Sequence, residues 1–460
     1  MVRRGRPVED RYLVARSLKL GQAELTQSGA LLLRSPQVAP LTNERFSASD
    51  GTELPYPGSP LRPMARGQAD FLFQRVIKRV LAGEHFDASG FVGNHAVELY
   101  SRSPWHALFA RHFLEPALPT FLAPSESQAL RIYHDPTTPP SQFGDYEGDT
   151  LVLFDLRELR ALVLGTAHAG EIRHTVYTLA NYLLPRQGLL GLHAAAALSG
   201  DGTATLVLGR ADRALRADFL KGYPLLAESA TLWTEAGLSR LEASLYTELS
   251  AEANVGEGIL LEGARATGGG AEVLRGAPPL PSSASAGIKP LRPTRMVLLS
   301  HDPTGALPLL SLLTQEQARY HFLAGYGSRA LAPFERGGDF NPCFAHHCLP
   351  LPPQEYAALF AACVQREAPE IFLLNTGKVR AGSVPREISL RLLRAIHEGR
   401  LENATFAREP VLRLQAATAL AGVEARWLAQ ADEEVSRALA ERFTEYFQDR
   451  GWAEAGVTAK

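Results

Sequence analysis

Four short apolar runs set the limits on what this chain can fold into: "TLVLFDL" from Thr150, "TATLVLG" from Thr203, "TRMVLLS" from Thr294 and "EIFLLN" from Glu370. Each is a short apolar run that reads as a strand. Stretches of helical spacing lie among them. "GQADFLFQRVIKRVLAG" puts Phe71, Leu72, Val76, Ile77, Val80 and Leu81 along one stripe and stops at Gly83, which predicts an amphipathic helix. "TQEQARYHFLAG" opens with Thr314 and Gln317 at capping-box spacing, and "PQEYAALFAACVQ" opens with Pro353 at a first helical turn. Strands alternating with helices predict a mixed α/β domain. From about Gly263 to Pro290 the composition shifts to Gly, Ala, Pro and Ser, which predicts a flexible insertion over 263–290. The tail from Glu424 to Trp452 reads as one surface helix, and no internal repeat is evident.

The run from Ala204 continues as "ATLVLGRADRALRADF", a strand entering a helix through a tight turn at Gly209. In a nucleotide-binding chain this is where a glycine-rich phosphate loop stands, but here Arg210, Ala211, Asp212 and Arg213 follow. Charge balance narrows the partners. Lys plus Arg number 47 against 49 Asp plus Glu, so no single-sign field draws the chain to nucleic acid or an anionic membrane. Three cysteines cannot build a disulfide framework, and the Arg-rich start "MVRRGRPVEDR" leads into no apolar run of the signal-peptide kind. No window approaches a membrane span. These features predict a cytoplasmic protein with room in its 460 residues for two or three domains.

Several segments carry a resemblance. "NYLLPRQGLLGLHAAAAL" from Asn181, the strand and turn at Ala204–Gly209, "VLLSHDPTGALPLLSLLTQEQARYHFLAGY" from Val297, "CFAHHCLPLPPQEYA" from Cys343 and "FLLNTG" from Phe372 follow one another in the order and spacing of the ATP-dependent phosphoenolpyruvate carboxykinases. The chain resembles that family specifically from about Asp149 to Val411 and more faintly before it. The resemblance implies an N-terminal domain, here 1–186, and a larger C-terminal mononucleotide-binding domain with a mixed sheet, 187–460, the active site lying between them. It also implies ATP and a divalent cation, magnesium or manganese, as cofactors.

The same comparison brings out departures. The family's phosphate loop is similar to "GLSGTGKTTLS", whereas this chain has "GRADRALRA", about two residues shorter, with Gly209 kept and the lysine–threonine pair falling near Asp212 and Arg213. An aspartate facing a triphosphate adds repulsion of about 1–4 kcal/mol at close range near a surface. The family's paired aspartates in "GDDEHGW" fall on Glu228 and Ser229, the lysine of "YAKT" on Glu248, and the manganese lysine of "EMKK" on His174. The arginine of "GKRIS" falls on Glu387, and for the oxaloacetate arginine of "GRSPKDKY" the segment "APLTNERF" from Ala39 stands nearest.

What the resemblance leaves as candidate site residues is His193 and Arg275 in the catalytic place, Gly209 and Arg213 at the nucleotide, and His174 and His193 at the metal. Two histidines without a third ligand make a weak metal site, and a hydrogen-bonded pair at a domain junction is the alternative. Arg210, Arg213 and Arg216 read either as a phosphate-binding helix start or as a solvated helix face paired with Asp212 and Asp218. Cys343, His346, His347 and Cys348 do not follow a zinc spacing. The replacements converge on phosphate, metal and nucleotide contacts. They favour a non-catalytic paralogue that binds a small anion or a protein partner. The alternatives are an enzyme of altered specificity using the same cleft, or an authentic ATP-dependent carboxykinase.

Overall fold

The computed structural model describes residues 6–35, 44–51, 55–56, 58–144, 146, 148–209, 213–244, 246–249, 255–265, 272–277, 289–327, 340–401 and 403–452. The chain forms two compact units. The first comprises Met1–Leu184, Leu241–Lys289 and His347–Leu351, and the second Pro185–Arg240, Pro290–His346 and Pro352–Lys460. The sequence reading placed a single crossing at 186/187. The chain instead returns to the first unit twice.

A seven-stranded mixed sheet organises the first unit, in the order Arg62–Ala65, Arg45–Ser49, Leu151–Asp155, Arg160–Leu164, Leu130–Asp135, His95–Ser101, Phe86–Val92. Leu151, Leu153, Leu162 and Leu164 pack with Ala69, Leu72, Phe73, Val76 and Val80 of the helix Arg66–Ala82, the stripe expected from the spacing. Their neighbours Val152, Phe154, Ala161 and Val163 turn to the other face and are also buried, which is why the run at Thr150 shows no polar alternation.

A second sheet of this unit runs Ala23–Leu25, Leu31–Ser35, Leu260–Arg265, Glu272–Ala277, Thr247–Glu248. It corrects part of the expected insertion. Leu260–Arg265 and Glu272–Ala277 pair antiparallel, and the former also lies parallel to Leu31–Ser35, so backbone pairing orders a segment whose composition alone argued against order. The remainder of that insertion, 266–271 and 278–288, lies outside the described residues.

The second unit is built on eight strands in the order Leu225–Ala227, Ala194–Leu198, Ala204–Leu208, Pro293–Ser300, Glu370–Asn375, Leu310–Leu312, Gln415–Ala419, Thr405–Arg408. Ala204–Leu208 is interior, antiparallel to Ala194–Leu198 and parallel to Pro293–Ser300, which is in turn parallel to Glu370–Asn375. Val207, Val297, Leu299, Phe372 and Leu374 form a core with Phe219 of the helix Arg213–Leu220 and with Leu392, Leu393 and Ile396 of the helix Arg386–His397. The helix Gln315–Ala324 starts with the Thr314–Gln317 capping box, and Pro353–Glu367 starts at its proline, both as read.

The tail departs from expectation. It is a 3-10 turn, Ala425–Leu428, and then a separate helix, Glu433–Gln448, which starts after Asp432. Nor does it lie loosely on the surface, since Phe443 and Phe447 are buried with their rings 5.4 and 4.5 Å from Tyr320. Among the described residues no helix is long and apolar enough to cross a membrane.

Candidate functional site

In the second unit the strand Ala204–Leu208 delivers the chain to Gly209, where φ is +101° and a Cβ would lie 2.7 Å from the Leu299 carbonyl oxygen. Only glycine meets both conditions. Residues 210–212 and the Arg213 side chain lie outside the described residues, so the expected pairing of Asp212 and Arg213 is not described. Helix geometry resumes at Arg213. Arg216 corrects the picture of a solvated face: it is buried and donates to the Glu228 backbone carbonyl. Asp218 pairs with Arg386 at the start of the helix Arg386–His397. His193 sits buried between the strands Leu190–Leu192 and Ala194–Leu198. Asp302, in "SHDPTGALP", is spent on its own loop, accepting from the Thr304 amide at 2.9 Å, the Leu307 amide at 2.8 Å and the Tyr326 hydroxyl at 2.8 Å. Glu387 is exposed in the first turn of its helix.

In the first unit polar groups gather about the start of the helix Ala169–Leu183. His168 precedes it, and its Nδ1 donates to Glu262 Oε1 at 2.7 Å. The other Glu262 oxygen accepts the Ala169 amide at 3.2 Å and the Tyr246 hydroxyl. A carboxylate thus closes a helix N-terminus from a neighbouring strand, where the helix dipole favours negative charge. Arg275 Nη1 lies 3.2 Å from His168 Nε2, with its guanidinium 5.7 Å from the Tyr246 ring centre. Burial alone would raise the Glu262 carboxyl, but the His168 and Tyr246 hydrogen bonds hold it below its ordinary value.

One turn into the helix, Glu171 accepts from Arg45 at 3.1 Å, and Arg45 also donates to the His347 carbonyl at 2.7 Å. Both side chains of this pair are buried. Desolvation pushes Glu171 upward, and the Arg45 charge with the His174 contact overcomes it, leaving the carboxyl well below the usual range. His174 Nδ1 is 3.7 Å from Glu171, and burial lowers its pKa to about 3. The neighbouring Arg173 forms a second buried pair with Glu242 at 2.6 Å.

The candidate residues therefore divide. His174 and Arg275 belong to the first unit, His193, Gly209 and Arg213 to the second. The Glu248 side chain and residues 39–43 lie outside the described residues. The segment "CFAHHC" forms two 3-10 turns, with Cys343 and Phe344 at positive φ and Cys343 and His346 in one unit, His347 and Cys348 in the other. Among the described residues no three His, Cys, Asp or Glu side chains stand together as a metal centre needs. Sequence reasoning missed His168, Glu262 and Tyr246. A histidine just before a helix was the one legible signal.

The buried histidines of this unit carry a pH prediction. Burial lowers His95 to about 4, His106 to about 3 and His134 to about 4. The unfolded chain binds protons at these positions below about pH 6.5 while the folded chain does not, so each costs about 1.4 kcal/mol of stability per pH unit in that window. The melting temperature is expected to fall continuously from pH 7 to pH 4, read by circular dichroism. A flat profile between pH 7 and pH 5 contradicts these shifts.

Comparison with known proteins fits this architecture. The family model for phosphoenolpyruvate carboxykinase matches residues 6–251 and 280–426. Phosphoenolpyruvate carboxykinase (ATP) of Thermus thermophilus is 28% identical, with 84% of this chain and 82% of that one covered. The protein of the same name from Geobacillus thermodenitrificans is 28% identical over 95% of this chain and 92% of its own, and phosphoenolpyruvate carboxykinase (ATP) 2 of Moorella thermoacetica is 27% identical over 90% and 86%. With the family model covering most of its length, and a mixed α/β fold to match, this chain belongs to the phosphoenolpyruvate carboxykinase family.

Proposed function

We propose that this member of the family does not transfer phosphoryl groups from ATP and acts as a binding protein for a small oxyanion, received by Arg275. The observation that carries the first half is the connection after Ala204–Leu208: four residues, 209–212, separate strand from helix, with neither a lysine nor a hydroxyl among them. A phosphate loop of the form GxxxxGK[ST] needs six residues to reach its lysine, which neutralises the β- and γ-phosphates while the hydroxyl holds the metal. ATP with a divalent metal does not fit the residues present. Arg216 is committed to a backbone carbonyl and Asp302 to its own loop, and the His174 ring, 3.7 Å from Glu171 and held neutral by burial, stands in the place of a cationic lysine. The second half rests on Arg275, a guanidinium held beside the His168 Nε2 and an aromatic face, with geometry suited to a carboxylate or phosphate.

An authentic carboxykinase is the second reading, favoured by the length of the family match and by the retained His193. A thermal-shift screen with ATP, ADP, oxaloacetate, phosphoenolpyruvate, phosphate, magnesium and manganese separates them. A ligand at a hundred times its dissociation constant stabilises by about 2.7 kcal/mol. The expected result is a shift with phosphoenolpyruvate or oxaloacetate that Arg275→Ala removes, and none with ATP and metal. A metal-dependent shift with ATP supports the second reading.

A further inference from the structure

Arg275 sits in the strand Glu272–Ala277, directly opposite Glu262 in the neighbouring strand on one side and Glu248 in the neighbouring strand on the other. A cross-strand Glu–Arg neighbour pair ordinarily forms an ion pair. Here Glu262 does something else: its oxygens take the His168 ring N–H, the Ala169 amide and the Tyr246 hydroxyl. A ring nitrogen facing a carboxylate carries the proton, so Nδ1 is the donor, and with an Arg275 N–H on the other side the arrangement is that of the Nδ1–H tautomer. Nε2 is then a lone-pair acceptor, and it faces an Arg275 N–H at 3.2 Å. Tyr246 closes the arrangement, holding Glu262 with its hydroxyl and lying against the guanidinium with its ring.

We propose that Glu262 and His168 are positioning residues for Arg275: the glutamate sets the histidine tautomer, and the histidine nitrogen holds one edge of the guanidinium so that the other edge is presented to the oxyanion. Full burial of His168 and near-full burial of Glu262 give the relay a rigid base, since neither side chain has water to turn towards. An arginine held in advance loses less side-chain freedom when its ligand arrives. The inference rests on the reading of Arg275 as the oxyanion receptor, and the ligand class is that of a carboxylate or phosphate monoester. The source of that group is distinguished by the probes.

The test has a readout that needs no ligand. Nitrogen-15 spectra of the arginine side chains are expected to show Arg275 with restricted rotation in the native chain, lost in His168→Phe and kept in His168→Gln, whose amide oxygen reaches the place of Nε2. Titration calorimetry with phosphoenolpyruvate, oxaloacetate and inorganic phosphate forms the second arm. His168→Phe is expected to weaken the bound probe about tenfold, while His168→Gln stays within about threefold, the difference of one charge-assisted hydrogen bond. Glu262→Gln checks the outer step, with its melting temperature reporting the helix start separately. If His168→Phe does not fold, His168→Gln is compared with His168→Leu in the same two readouts. Unchanged Arg275 spectra and unchanged affinity in the folded His168 variants overturn the relay. If the native chain binds none of the probes, the receptor reading fails, and the spectra still decide the relay, with the titrations repeated in a Glu248→Gln background.

Discussion

Purified protein supplied with oxaloacetate, ATP, magnesium and manganese is expected to form phosphoenolpyruvate at less than about a thousandth of a common enzyme turnover of ~10 per second. Phosphoryl transfer leaves a protein little covalent chemistry to perform, so its rate comes from positioning the phosphates and neutralising the charge that moves between them. A lysine on the phosphates and a metal ion are the usual sources of that neutralisation, and each is worth several kcal/mol of barrier. By its sequence resemblance, Asp212 falls about where the family has the lysine, Glu248 where it has a second lysine and Ser229 where it has a metal-binding aspartate. The effects compound, because a triphosphate that is not held cannot be attacked at any rate. The measurement is direct detection of phosphoenolpyruvate in both reaction directions. Turnover near the common median, abolished by His193→Ala, overturns the proposal and establishes the authentic enzyme.

The legible parts of the fold were those whose determinants are local in sequence. The four apolar runs became interior or doubly buried strands because such runs have few other stable places, and the capping box at Thr314 and the proline at Pro353 start helices through contacts within a few residues. The failures were non-local. Leu260–Arg265 is ordered by Leu31–Ser35, more than two hundred residues away, and no window of composition contains that pairing. The tail is split after Leu428 and its second half buried by aromatic contacts to Tyr320, which periodicity alone does not reveal. In the site, the departures at the turn could be read because a motif with fixed spacing was available for comparison. The His168–Glu262 pair could not, since its members are 94 positions apart and neither belongs to a recognisable pattern.

Arg45→Met is expected to be among the most damaging single substitutions in the first unit, costing about 3–5 kcal/mol in urea unfolding. The Arg45 and Glu171 side chains are 2% and 0% exposed, so the carboxylate depends on the guanidinium and has no water to replace it. Methionine follows the course of the arginine stem but carries no charge, so what is measured is the loss of the Arg45 charge beside Glu171 rather than loss of packing. The partly buried His347 carbonyl loses its 2.7 Å donor in the same step, adding the smaller cost of one hydrogen bond. Sign and size can be separated from general disruption by the double variant Arg45→Met, Glu171→Leu. With both charges gone, nothing ionised remains to be desolvated, and most of the lost stability is expected to return, as replacing a buried pair by apolar groups is often neutral. The single variant should also recover partly towards pH 4, where protonating Glu171 removes the buried charge that Arg45 no longer offsets, although the native chain loses stability over the same range through its buried histidines. A loss under about 1 kcal/mol in the single variant, or a double variant worse than the single, would mean that Arg45 and Glu171 do not depend on one another.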